Sequence, residues 1–183
     1  MATTWAWIQH TGTQTGSPLG GTTVTDPVTA CNWKNSGVVG DAYGSYPVSE
    51  STNSYSIYLA GKVTGTYNNI LTGKFGHTSG AMPTNTTLKT QPAFTADGDN
   101  PYTTPSTTAN AALTVDSTST ISISSGVAVW FGATSPQATG KAATQTGAAT
   151  RYTTFMISQV QVGASPTPGD SASIVLSCQY LEN

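Results

Sequence analysis

The chain has 183 residues, enough for one domain with a substantial core, and only 8% of them are charged, against about a quarter in ordinary soluble domains. Its six basic residues, Lys34, Lys62, Lys74, Lys89, Lys141 and Arg151, are scattered, and with eight acidic residues the net charge is −2. That lacks the clustered positive charge a nucleic-acid binder sets against phosphates, and no apolar run approaches the roughly 20 residues that cross a bilayer as a helix.

Residues 1–28 open with a short alternating piece, Trp5-Ala6-Trp7-Ile8, and then pass into a Gly/Thr/Ser stretch at 11–21. Two tryptophans carry a large apolar area that must be buried somewhere. Two readings stand: a first strand followed by a long loop, or an arm that buries Trp5 and Trp7 against another subunit. The opening residues lack the basic and apolar regions of a signal peptide, so the expectation is a protein made in a cytoplasm.

Residues 29–183 read as one β-sandwich domain. Ala30-Cys31-Asn32-Trp33 is a short strand candidate, set between Asp26-Pro27 and Asn35-Ser36-Gly37. Residues 34–53 are loop-like. The longest alternation follows at 54–67, where Tyr55, Ile57, Leu59, Val63 and Tyr67 share one parity with Gly61 and Gly65. Glycine inside a strand marks a bulge or bend, so this strand is expected to curl or to switch sheets. Asn68-Asn69 turns the chain into a return strand at 70–77.

Further short strands are expected at 86–90, 112–115 and 120–123, with a turn at 97–101. The run 126–131 is apolar on both parities, which predicts a central strand covered on both faces. Residues 133–150 have no periodicity and link two strands as a surface loop or an interaction segment. Near the end of the chain, residues 154–162 and 172–181 read as a C-terminal hairpin around a Pro/Gly turn. In the second of these, Ala172, Ile174, Leu176, Cys178 and Tyr180 share one face, and Ser171, Ser173, Ser177 and Gln179 take the other, interrupted only by Val175. No stretch holds a helical period over three turns. The fold class is therefore all-β, an antiparallel sandwich or jelly roll with little or no helix.

Chemistry is harder to find. Only His10 and His77 could serve as imidazole bases, no G-x-S-x-G elbow is present, and the only glutamates are Glu50 and Glu182. Asp97 and Asp99 lack the spacing of a calcium loop, and two cysteines with two histidines make no zinc pattern. No phosphate-cradling glycine loop follows a strand. The chain is read as no enzyme, with no cofactor and no metal. Cys31 and Cys178 lie at strand spacing beside apolar residues and are read as two reduced core thiols, with a disulfide as the alternative. Aromatic residues supply the candidate interface: Trp5, Trp7, Tyr43, Tyr46 and Tyr58, whose flat amphipathic rings suit an interface core or a carbohydrate platform.

Three phrases carry a resemblance: Leu59-Ala60-Gly61-Lys62-Val63-Thr64-Gly65-Thr66-Tyr67-Asn68-Asn69-Ile70, Tyr102-Thr103-Thr104-Pro105-Ser106-Thr107-Thr108-Ala109-Asn110-Ala111-Ala112-Leu113, and the closing residues 169–183. They resemble small structural proteins of tailed-bacteriophage virions, capsid decoration (cement) proteins above all. The resemblance implies a β-sandwich on the outside of a capsid, bracing neighbouring capsomers. Its partners would be the major capsid protein and copies of itself, as a homo-oligomer on the virion, with no nucleic acid and no membrane. A tail or fibre subunit and a glycan-binding sandwich module are the alternatives.

Overall fold

The computed structural model describes residues 2–11, 23–28, 31–38, 41–90, 107–108, 115–117, 127–129, 131–132, 144–146, 149–153, 156–167 and 174–182. Twelve strands are formed among them: β1 (Ala2–Thr11), β2 (Thr23–Thr25), β3 (Ile57–Thr66), β4 (Asn69–Ser79), β5 (Thr86–Thr90), β6 (Val115–Ser117), β7 (Val127–Val129), β8 (Phe131–Gly132), β9 (Thr144–Thr146), β10 (Arg151–Thr153), β11 (Met156–Val162) and β12 (Val175–Glu182). The helical content of the described residues is one 3₁₀ turn, Tyr43–Ser45. All pairings are antiparallel. An eight-stranded sheet runs β2-β1-β3-β11-β5-β6, with β10 also on β3 and β8 on β10; a four-stranded sheet runs β12-β4-β7, with β9 also on β4. The fold is an all-β sandwich of two antiparallel sheets.

β3 organises the larger sheet. Its alternation puts Ile57, Leu59 and Val63 on the face that meets the smaller sheet, followed at the corner by Tyr67. Phe75 of β4 closes on Ile57 and Leu59, while Ile70 closes on Val63 and Tyr67. β12 completes both clusters, with Leu176 and Cys178 on the first and Tyr180 on the second. The parity read in β12 therefore holds, and the residue that interrupts it, Val175, is exposed.

The expected C-terminal hairpin does not form. β11 pairs with β3 and β5 in the larger sheet, whereas β12 pairs with β4 in the smaller one. Alternation identifies the buried face of a strand but not its neighbour, and β12 finds its apolar match beside Phe75 in the smaller sheet. The chain changes sheets in the same way between β3 and β4, after Gly65, whose φ of 121° supplies the bend.

Three more expectations are corrected. Residues 31–33 form no strand, although Cys31 and Trp33 still pack on the Ile57–Leu59–Phe75 cluster. The 126–131 run is not one central strand: β7 lies on β4 and β8 on β10, so the run divides between the two sheets. Residues 133–150 include β9, which pairs with the first residues of β4. The expected turn at 97–101, Tyr102 and the 120–123 strand lie outside the described residues.

Candidate interaction surfaces

The aromatic candidates divide sharply once the strands are placed. Trp5 and Trp7 stand on the inner face of β1, which pairs residue by residue with β3 from Ala2↔Thr66 to His10↔Tyr58. The Trp5 ring stacks on Tyr180, with centroids 5.4 Å apart and planes at 22°, and meets Trp7 edge-on at 5.2 Å. Trp7 in turn meets Phe75 edge-on at 5.9 Å. Four rings thus bridge the two sheets, in the offset and T-shaped geometries their quadrupoles favour. These tryptophans are core elements of their own chain. The arm reading gives way to the strand reading.

Gly61 explains how so large a ring fits. A methyl group at its Cα would lie 1.9 Å from Cη2 of Trp5, so the glycine leaves the space that the indole fills. Its N–H donates to Thr153 Oγ1 at 2.7 Å, and β3 runs through it unbroken. The bend expected at Gly61 is absent for that reason.

Tyr58 is removed from the surface as well. It lies on the other face of β3 and is only 2% exposed. Tyr43 opens the 3₁₀ turn, and Tyr46 follows it, 42% exposed. The loop that carries them is well tied. The buried Lys34 donates its ammonium to the Asp41 carbonyl at 2.5 Å, and Ser36 donates to the Asp41 carboxylate. The Asn35 N–H bonds the Tyr46 carbonyl at 2.8 Å, and Tyr55 N–H bonds the Lys34 carbonyl at 3.0 Å. Tyr46 is thus displayed from a braced loop, and Val38 nearby in sequence is 62% exposed.

Two further exposed apolar residues went unread in the sequence. Val175 and Leu181 lie on the outer face of β12, 50% and 60% exposed. The signal for Val175 was present, as an apolar residue on the polar parity of its strand.

Cys31 and Cys178 are free thiols packed on one cluster. Desolvation pushes both up to about 12, and a backbone hydrogen bond from Lys74 only partly opposes this at Cys178. Such thiols stay protonated and are poor nucleophiles. His10 on β1 and His77 on β4 belong to different sheets. Among the described residues no group of three or more His, Cys, Asp or Glu is placed to hold a metal ion. Lys62 and Asp26 form a surface ion pair at 2.5 Å, whose hydrogen bond raises the Lys62 pKa.

Comparison with known proteins returns no family model, no curated protein and no solved structure that matches this chain.

Proposed function

We propose that the chain is a non-enzymatic structural protein of a bacteriophage virion, a decoration protein that binds the outside of the capsid and braces contacts between capsomers. The observation that carries this reading is the character of its surface. A chain with 8% charged residues, solvated by hydroxyls and amides, generates little repulsion between copies. On that surface Val38, Tyr46, Val175 and Leu181 stay exposed, an arrangement that suits a protein packed among neighbours. The three sequence phrases that resemble virion proteins point the same way. Major capsid protein and further copies of the chain are the partners this reading names.

Of the rings that the glycan-binding alternative would use, Tyr58 and Tyr67 are buried, whereas Tyr46 is exposed. Mass spectrometry of purified virions tests the proposal. The chain is expected as an abundant, stoichiometric component of the head; its absence from virions, or its presence only in isolated tails, would falsify the decoration reading.

A further inference from the structure

Three turns that are distant in sequence meet at one end of the larger sheet: 49–52, 83–86 at the entry to β5, and 163–167 after β11. They are cross-linked through the backbone. The Ser51 N–H donates to the Gly163 carbonyl at 3.2 Å, the Gly163 N–H to the Asn85 carbonyl at 2.7 Å, and the Val162 N–H to the Thr52 carbonyl at 3.0 Å. The Asn85 amide donates to the carbonyls of Ala164 and Ser165, both at 3.0 Å, and the Ser165 N–H donates to the Glu50 carboxylate at 2.9 Å.

Each turn holds one non-glycine residue in the left-handed region: Ser51 at φ 57°, Asn85 at 57° and Ser165 at 55°. There the Cβ of an L-residue crowds its own carbonyl, and glycine avoids the cost. Asn85 offsets it with two amide hydrogen bonds. Ser51 and Ser165 have no such return, because both are exposed and their hydroxyls make no hydrogen bond among the described residues. The chain uses glycine at other left-handed positions, Gly65 and Gly80. Folding alone therefore favours glycine at 51 and 165, and strained residues held by an over-determined surround are characteristic of ligand clamps.

The chemistry of the tip narrows its partner. Residues 49–52, 83–86 and 163–167 include no Lys, Arg or His and no aromatic residue, so the tip offers no cation to a phosphate and no ring to the face of a sugar. Its one carboxylate, Glu50, is engaged with an amide of the tip itself. What remains is a braced set of hydroxyls and carbonyls around one carboxylate, pre-organised to bond the polar groups of another polypeptide surface. We propose that this tip is the docking face by which the protein sits on the capsid shell, with the Ser51 and Ser165 hydroxyls as contact groups. The inference rests on the decoration reading above.

The test is the double variant S51G/S165G, which removes both hydroxyls while suiting the backbone. Its Tm is expected to equal or exceed that of the parent. Its affinity for capsids lacking the protein, measured by sedimentation and quantitative gel, is expected to fall roughly ten- to a hundredfold, as for two lost neutral hydrogen bonds. A second variant, T4A/T66A, which removes two exposed hydroxyls on β1 and β3 away from the tip, is expected to bind like the parent. If S51G/S165G binds as well as the parent, the tip is not the docking face, though the decoration reading survives. Parent protein that fails to bind capsids overturns both. A lowered Tm in S51G/S165G overturns the inference too, since the serines would then serve the fold. Binding of the parent to a glycan array, lost in S51G/S165G, would replace the protein partner with a carbohydrate.

Discussion

Replacing Gly61 by alanine inserts one methyl group where the Trp5 indole lies. The glycine is buried in extended strand backbone, so alanine meets no conformational objection there. The objection is steric. The new Cβ would sit 1.9, 2.1 and 2.8 Å from three ring carbons, and restoring the closest contact to about 3.5 Å needs a shift of about 1.6 Å. Tyr180 stacked on one face and Trp7 at the edge leave the ring little room to retreat. Overpacking of this kind costs about 1–3 kcal/mol, and weakening the ring contacts adds about 0.5–1.5 kcal/mol. A loss near 3 kcal/mol is therefore expected, or a fall in Tm of roughly 6–12 °C for a chain of this size. Urea denaturation of the parent, G61A, W5A and G61A/W5A closes the cycle. W5A alone should cost about 3–5 kcal/mol. In that background the methyl group finds space, so G61A should be neutral or slightly stabilising, with a coupling of about 2 kcal/mol or more. A tolerated G61A in the parent, or strictly additive losses, would refute the steric account.

The remaining predictions concern the thiols and the first strand. Native protein should resist iodoacetamide at neutral pH, while denatured protein takes two labels without reductant; labels that appear only after reduction would mean that Cys31 and Cys178 pair. Because their folded values are raised from 9.0 to about 12, the stability they contribute is whole below pH 9 and is lost as pH climbs toward 12. The double variant C31A/C178A should flatten that part of the alkaline stability profile, and an unaltered profile would count against their burial. Deletion of residues 2–11 should abolish cooperative unfolding, since it removes the buried Ile8, the whole β1–β3 ladder and two indoles that each bury roughly 150 Å² or more, or about 4 kcal/mol of apolar transfer. A truncated protein with the parent's circular dichroism and melting curve would return these residues to the status of an arm.

What the sequence made legible was each strand's own geometry. Ile57, Leu59, Val63 and Tyr67 declared one face of β3, and Leu176, Cys178 and Tyr180 declared one face of β12, because a period of two survives any choice of neighbour. Neighbours themselves are long-range facts. Nothing local distinguishes a β11–β12 hairpin from the observed pairing of β12 with β4. Tyr58 misled for a related reason: β3 is buried on both faces near its start, so a residue on the nominally wet parity became core. Gly61 was visible as an anomaly, but its cause was an indole in another strand. The tip proposed for docking was illegible, because left-handed serines leave no compositional trace and the three turns meet only in the folded chain.

The position of β3 also governs when the protein can become itself. Leu59 pairs with Gln9 on one side and with Met156 on the other, and Phe75 in β4 waits for Cys178. A ribosome delivers the first partner before β3 and the second only after β4 to β10. Until then the edge of β3 that β11 will cover, with Ile57 and Leu59 on its inner face, has no strand to accept it. Chains dominated by such distant pairings fold over milliseconds to seconds rather than microseconds, because loop closure precedes any reward from contact. Folding is thereby held back until β11 and β12 have been made, and before then the chain carries an unpaired edge open to its neighbours on the same message.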